Sequence, residues 1–405
     1  MNVASNLSES VSEASVDVTA KAGTKVGAKT GIAFLGCGYV ADFYQQTYAN
    51  HKDSLTLHGI WDHDAARLEK FAAFYKLEHY ASFEEMLADP EVEIIVNLTN
   101  PHAHYATSKR ILEAGKHVYS EKPLAMEIDQ ARELVALAEE KGLQIVSAPS
   151  SVLGPAAQRL WQAVRERELG TPRLVYAEID DGMIHKMGYA GWLSSSGTPW
   201  PAKDEFYTGC TLEHAGYMLT WLVAMFGPVT EVLSMASLCI PDKGGDTPED
   251  YTTADFSCAL LRFEAGVTAR LTNSIIAPHD HRLRIFCDGG ELCAHEVWNF
   301  HTHVDAYPLP QNKIQRGMEK YLHMRSKRKL AVAKNPETKF AEGGHPMDFV
   351  RGVADMAAAL RAGRPARLGG AFSLHITEVT LAIQYPEIYG TPYVPQSRPA
   401  PIEPV

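Results

Sequence analysis

Residues 32–42, IAFLGCGYVAD, constrain the fold more than any other stretch of the chain. An apolar run from Ile32 to Leu35 breaks at Gly36-Cys37-Gly38 and resumes at Tyr39, with apolar positions at Val40, Phe43, Tyr44 and Tyr48 in helical spacing. A strand, a glycine turn and a helix N-terminus in that order can hold a pyrophosphate, because backbone N–H groups and the helix dipole point at the same anion. Gly36 permits the turn, Gly38 lets phosphates approach the backbone, and Ala41 takes the third small position, where helix packs on strand. Cys37, Tyr39 and Val40 complete the expected phosphate loop. Taken alone the motif also fits an ordinary glycine turn, so the rest of the chain has to carry the reading.

A chain of 405 residues is long enough for two domains, since single cores stop growing at about 250–300 residues. The formal net charge of -11 argues against general nucleic-acid binding. No apolar run approaches the roughly 20 residues of a membrane helix. The six cysteines are scattered without CxxC pairs, which suggests neither a zinc cage nor a disulfide framework and fits a reducing cytoplasm. Residues 1–29 mix Ser, Ala, Val, Thr, Lys and Gly without an apolar block, the composition of a disordered extension rather than an export signal.

From residue 30 to 148 apolar runs alternate with helical patterns, the mark of a parallel sheet covered by helices. The second strand, Leu55 to Trp61, ends in Asp62, 26 residues beyond Gly36. An acid there can accept both ribose hydroxyls of adenosine and would repel a 2′-phosphate, so NAD is expected over NADP. The alternative is a surface acid at a strand end. Ser82-Phe83-Glu84-Glu85 is a capping box. The central strand Val92 to Leu98 runs into Thr99, Asn100, His102 and His104, a polar loop that belongs beside the cofactor because parallel sheets bind ligands at their carboxyl ends.

After a short strand, His117 to Ser120, comes Glu121-Lys122-Pro123. A lysine at the end of a buried strand, held by a following proline, stands where nicotinamide and substrate meet. Its ammonium can bond a substrate hydroxyl and, with a pKa lowered by burial, pass a proton. A surface lysine paired with Glu121 is the competing reading. Leu143 to Ser147 reads as a sixth strand, and Ala148-Pro149 as the boundary between a domain at 30–148 and one at 149–405.

GCGYVA, the Asp62 strand end and NLTNPHAHYATSKRILEAGKHVYSEKPLAM together resemble the Gfo/Idh/MocA family of sugar and polyol oxidoreductases. The resemblance covers most of residues 30 to about 230. It implies an α/β protein: an N-terminal Rossmann dinucleotide-binding domain plus a C-terminal α/β domain on an open, mostly antiparallel sheet. It further implies NAD(P) at the first domain and Lys122 as the catalytic lysine of the EKP motif.

The second half supports that architecture. Gly154-Pro155 opens an amphipathic helix. Strands follow at Arg173 to Ile179, Val229 to Ile240, Ala254 to Phe263, Val267 to Ile275 and Arg282 to Cys287, with tight connections at Glu264-Ala265-Gly266 and Asp288-Gly289-Gly290. The uncovered face of such a sheet is the expected interface of a homodimer or homotetramer, as in the resembled family. A helix from about Gly209 to Phe226 is apolar on two faces, hence buried on two sides. The family usually carries Asp and His four residues apart on this helix. Aligned through Gly209, Leu212, Gly216 and Gly227, those positions are His214 and Met218, so the usual acid/base pair does not transfer.

His214 keeps a case of its own, since a helix N-terminus disfavours imidazolium and leaves a neutral ring that can accept a proton; a core histidine is the alternative. Glu213 and Tyr217 adjoin it. The preceding segment offers His185, Trp200, Lys203, Asp204, Glu205 and Tyr207 as carbohydrate contacts. Asp180 and Asp181 have no spaced histidine partner, so no metal is expected. Residues 313–334 carry eight basic residues and one acid, read as a solvated helix or interface arm, or a phosphate partner were the substrate a nucleotide sugar. The functional expectation is an NAD-dependent oxidoreductase of a sugar, polyol or sugar derivative. A redox-neutral lyase, epimerase or glycosidase with tightly held NAD, and a non-catalytic NAD-binding protein, stay open.

Overall fold

The computed structural model describes residues 29–245, 247–333 and 345–405. The expected extension, apart from Lys29, lies outside the described residues, as do Lys334 and Gly344. Five strands, β1 (Thr30–Leu35), β2 (Leu55–Trp61), β3 (Ile94–Asn97), β4 (His117–Ser120) and β5 (Ile145–Ser147), pair in parallel in the order β2-β1-β3-β4-β5. The stretch expected as a sixth strand is thus the fifth. Ile32 and Phe34 of β1 enter one core and Ala33 and Leu35 another, because successive strand side chains point to opposite faces and both faces are covered. The chain reverses its direction of travel across the sheet between β1 and β3. The connections after these two strands therefore leave a crevice at their carboxyl ends, where Gly36 and Thr99 stand.

The second sheet comprises β6 (Pro172–Asp180), β7 (Val229–Ser237), β8 (Phe256–Phe263), β9 (Thr268–Ser274), β10 (Leu283–Cys287), β11 (Gly290–Ala294), β12 (Val304–Pro308) and β13 (Arg328–Leu330), ordered β13-β12-β11-β10-β6-β9-β8-β7. Only β6 and β9 are parallel; the other pairings are antiparallel. Both expected tight connections occur, at β8–β9 and β10–β11, and β11 to β13 extend the sheet beyond the strands expected from the sequence. The basic segment forms a helix, Lys313–Leu322, with no buried residue, followed by the edge strand β13.

The Cys210–Phe226 helix is buried along its length except at Met225. One side packs on β6, β8 and β9; the other meets the Ser151–Leu153 turn that follows β5, where Trp221 Nε1 donates to Ser151 Oγ at 2.9 Å. The chain then returns: the Gly370–Gln384 helix packs on both the Cys210–Phe226 helix and β5. Arg361, which ends the Arg351–Arg361 helix, donates to Thr30 Oγ1 at 2.9 Å.

Candidate active site

The glycine turn faces a large cavity, ≈ 1090 Å³, which runs from the β1–β3 crevice to the second sheet. Gly36 has φ +104°, and a Cβ there would stand 2.7 Å from the Leu98 carbonyl oxygen. Gly38 is the N-cap of the Tyr39–Tyr48 helix and has no side-chain capping bond. The N–H groups of Tyr39 and Val40 consequently remain for an anion, that of Ala41 being donated to the Gly38 carbonyl oxygen, and nothing lies within 4 Å of where a Gly38 Cβ would be. Gly36, Gly38, Tyr39 and Val40 all line the cavity. Cys37 does not: it is fully buried and its N–H is donated to Asp62 Oδ2 at 2.7 Å. Its expected place in the phosphate loop is corrected to a brace beneath it.

Asp62 stands at the end of β2, buried at the cavity wall. Besides Cys37, it accepts from the Asp64 N–H at 2.8 Å and from Arg67, whose Nε and Nη2 reach it at 2.9 and 2.7 Å. Burial raises its pKa, but the Arg67 bonds and the two backbone donors outweigh that and hold it below the ordinary carboxylate value. Arg67 is brought there because Asp64 caps the Ala65–Tyr75 helix, placing residue 67 in its first turn. Sequence reasoning did not single out Arg67, although its place five residues after the acid was legible.

The β3 loop is tied to the EKP turn. His104, fully buried, spans the Pro123 carbonyl oxygen (Nδ1, 2.7 Å) and that of Thr99 (Nε2, 2.9 Å). Thr99, Asn100 and His104 line the cavity; His102 points to solvent and does not, because Asn100 caps the short turn Pro101–Ala103 and rotates residue 102 outward. Glu121 is buried, accepting the Tyr44 hydroxyl at 2.8 Å and the Lys122 N–H at 3.0 Å.

Lys122 therefore does not pair with Glu121. Its Nζ crosses the cleft to an ion pair with Glu213 on the Cys210–Phe226 helix. Burial pulls the lysine pKa down, but Glu213, Tyr217, Glu205 and Glu121 more than offset it and hold the ammonium above its ordinary value. The expected lowering is thereby corrected, because sequence could not show how many carboxylates the fold gathers around one cation. Glu213, His214 and Tyr217 face the cavity together, being neighbours or one turn apart on the helix. Met218, at the family's usual histidine, is fully buried in the core. His214 Nε2 lies 3.3 Å from Glu205 Oε1 and 3.6 Å from Asp181 Oδ2. Its pKa falls well below the ordinary value through burial first, then through Lys122 and His281. The shift disfavours imidazolium, with desolvation as the leading cause. Glu205 is pushed well up by burial and by Glu213.

Trp200, Asp204 and Glu205 line the cavity. Lys203 and Tyr207, one turn apart on the outer side of the Ala202–Thr208 helix, are exposed, and the Tyr207 hydroxyl donates to Asp250 at 2.6 Å. His185 lies in a short turn off the cavity wall. Lys203, Tyr207, His185 and His102 are thus not brought to the site. The loop carrying Trp200 is clamped over the cofactor helix, for Ser196 donates to Asp42 through its N–H and its hydroxyl, each at 2.8 Å. At the far wall the fold gathers Asp181, His279 and His281, with one ligand atom of each within 4.8 Å of the others. The expectation that Asp181 has no histidine partner is therefore corrected. The partners come from about a hundred residues away, though the alternation His279-Asp280-His281 was a legible signal, since residues two apart on a strand share a face.

Residues 30–148 match the family model described as the oxidoreductase family, NAD-binding Rossmann fold, and residues 157–293 match that of the GFO/IDH/MocA C-terminal domain. The uncharacterized oxidoreductase sll0816 of Synechocystis sp. is 25% identical over 274 residues, 64% of this chain and 70% of the relative. The trans-1,2-dihydrobenzene-1,2-diol dehydrogenase of Oryctolagus cuniculus is 32% identical over 215 residues, 52% of this chain and 59% of that protein. Among solved structures, the WlbA dehydrogenase from Bordetella pertussis, in complex with NADH and UDP-GlcNAcA, superposes with a TM-score of 0.68 at 18% identity, covering 93% of this chain and 99% of that one. At that identity the likeness is one of fold.

Proposed function

The chain belongs to the Gfo/Idh/MocA family of oxidoreductases, and on that premise we propose that it is an NAD-dependent dehydrogenase of a sugar, polyol or sugar derivative. The observation that carries the reading is the Lys122–Glu213 pair, which spans the cleft between the cofactor crevice and the polar pocket of the second domain. The bound nicotinamide supplies the hydride acceptor or donor. Lys122, held as an ammonium, bonds the substrate oxygen and stabilises the negative charge that grows on it as the C–H bond breaks. Neutral His214, beside Glu205, takes the hydroxyl proton and in the reverse direction returns it to the carbonyl oxygen, while Lys122 assists by holding that oxygen in a hydrogen bond in both directions. Glu213, Tyr217 and Trp200 supply the carboxylate, hydroxyl and aromatic face that a carbohydrate requires.

NAD is favoured over NADP because a 2′-phosphate would have to enter beside the Asp62 carboxylate. Arg67, which neutralises that carboxylate, limits the preference. The outer face of the second sheet, where Leu233, Met235 and Leu260 are exposed, is the proposed contact of a homodimer or homotetramer working in the cytoplasm. No helix among the described residues is long and apolar enough to cross a membrane.

The test is NADH formation across a panel of sugars, polyols and nucleotide sugars, with the Lys122→Met variant alongside. The variant is expected to lose about 10²–10⁴-fold in kcat. Full turnover by the variant removes Lys122 from the mechanism. Product formed without NADH accumulating favours the redox-neutral reading, which Met218, apolar where the family carries histidine, keeps in view.

A further inference from the structure

Asp180 and Asp280 exchange backbone hydrogen bonds of 3.0 and 2.9 Å. That antiparallel bridge turns the side chains of their neighbours, Asp181, His279 and His281, to one side of the ladder. Behind them, one carboxylate receives both rings: Glu296 bonds His281 Nδ1 at 2.9 Å and His279 Nε2 at 2.8 Å, and is itself held by the Trp298 N–H at 3.0 Å. His281 is fully buried, and its other nitrogen, Nε2, has no hydrogen-bond partner; it faces Asp181 Oδ1 at 3.7 Å. A buried imidazole nitrogen without a partner costs free energy unless something occupies the space before it.

We infer that Asp181, His279 and His281 form a binding site for a divalent transition metal of the zinc class, opening on the substrate side of the cleft. Two imidazoles and one carboxylate leave a coordination position free, as catalytic zinc sites do, whereas magnesium and calcium take oxygen ligands. Glu296 has the place of the outer carboxylate that fixes a ligating histidine's tautomer and aims its free nitrogen. Tetrahedral ligands about 2.0–2.1 Å from zinc stand roughly 3.3 Å apart. The set, now within 4.8 Å, closes to that by movement of His279, whose side chain is 53% exposed. Charge argues the same way, because Asp181, Glu205 and Glu213 crowd this end of the cavity around the single ammonium of Lys122. The metal's role rests on the dehydrogenase reading: its open position would hold a substrate oxygen adjacent to the one that Lys122 contacts.

The test uses the full chain, purified without a polyhistidine tag and stripped with dipicolinate, in the absence of substrate. Zinc chloride is titrated calorimetrically, and cobalt chloride is followed by visible absorption. The expected result is one equivalent of Zn²⁺ at micromolar affinity or tighter, and the intense d–d bands of four- or five-coordinate Co²⁺. Both are lost in His279→Ala, whose exposed side chain can be removed without opening the core, and Zn²⁺ binds about 10–100-fold more weakly in Glu296→Gln. Zinc that does not saturate the native chain, or that binds His279→Ala and His281→Asn unchanged, overturns the site. NAD is titrated on the same preparation. A chain that binds NAD but no zinc defeats only the metal inference, while one that binds zinc but oxidises no carbohydrate defeats only the dehydrogenase reading.

Discussion

The ammonium of Lys122 lies against Glu213, and the direction of its pKa shift decides its chemistry. Because the folded value lies above the unfolded one, the stabilisation this pair gives is fully present below the unfolded pKa of about 10.4 and is lost as pH rises through the folded value. In Glu213→Gln the chief raising partner disappears while burial remains, so the lysine pKa falls. The alkaline limb of kcat/KM for carbonyl reduction is expected to move to lower pH as the ammonium is lost, and an unmoved limb would show that another group stabilises the charge on the substrate oxygen. Arg67 makes a second case of one residue setting the character of another. With its guanidinium removed in Arg67→Gln, Asp62 faces the ribose uncompensated, and the ratio of NADP to NAD dissociation constants is expected to rise about tenfold, one charge-assisted bond's worth.

At the scale of elements, the β1 turn and the Tyr39–Tyr48 helix divide their demands between two glycines. Gly36 is required by the backbone, with a positive φ and the Leu98 carbonyl in the way of any side chain. Gly36→Ala should therefore destabilise the fold by about 1–3 kcal/mol from the dihedral alone, visible as a lower Tm without ligand. Gly38 is extended and has open space beside it. Gly38→Ala should keep the native Tm and lose NAD affinity, because the added methyl enters the space through which the phosphates approach the N–H groups. Equal Tm losses in the two variants would contradict this division. The Cys210–Phe226 helix shows the same separation of duties, with its apolar side chains packed against the second sheet and the Gly370–Gln384 helix while Glu213, His214 and Tyr217 reach the cavity.

For the whole molecule, the second sheet is the element left half covered. Val175, Ala177 and Ile179 of β6 are buried beneath helices, whereas Leu233 and Met235 of β7 and Leu260 of β8 remain on the outer side. Exposed apolar side chains aligned across neighbouring strands are a feature of contact faces. The pair of changes Met235→Glu and Leu260→Glu is expected to convert a dimer or tetramer into monomer by light scattering after size exclusion, with NAD affinity unchanged. A native chain that runs as a monomer would refute the proposed interface.

Alternating apolar runs and helical periods were enough to specify the parallel sheet, the glycine turn, the Asp62 strand end and the EKP lysine, because each depends on residues within one strand–turn–helix unit. The later strands β11 to β13 were less legible, being short and, like β13, basic at the sheet's edge. What the cleft does with its charges was not legible at all. Glu213 replaces Glu121 as the partner of Lys122, Arg67 covers Asp62, and Asp181 meets His279 and His281 only because two chain segments about a hundred residues apart bridge at Asp180 and Asp280. Local pattern determines which elements form; the pKa of a buried group and the members of a site depend on which elements pack face to face, and that was decided by the tertiary structure.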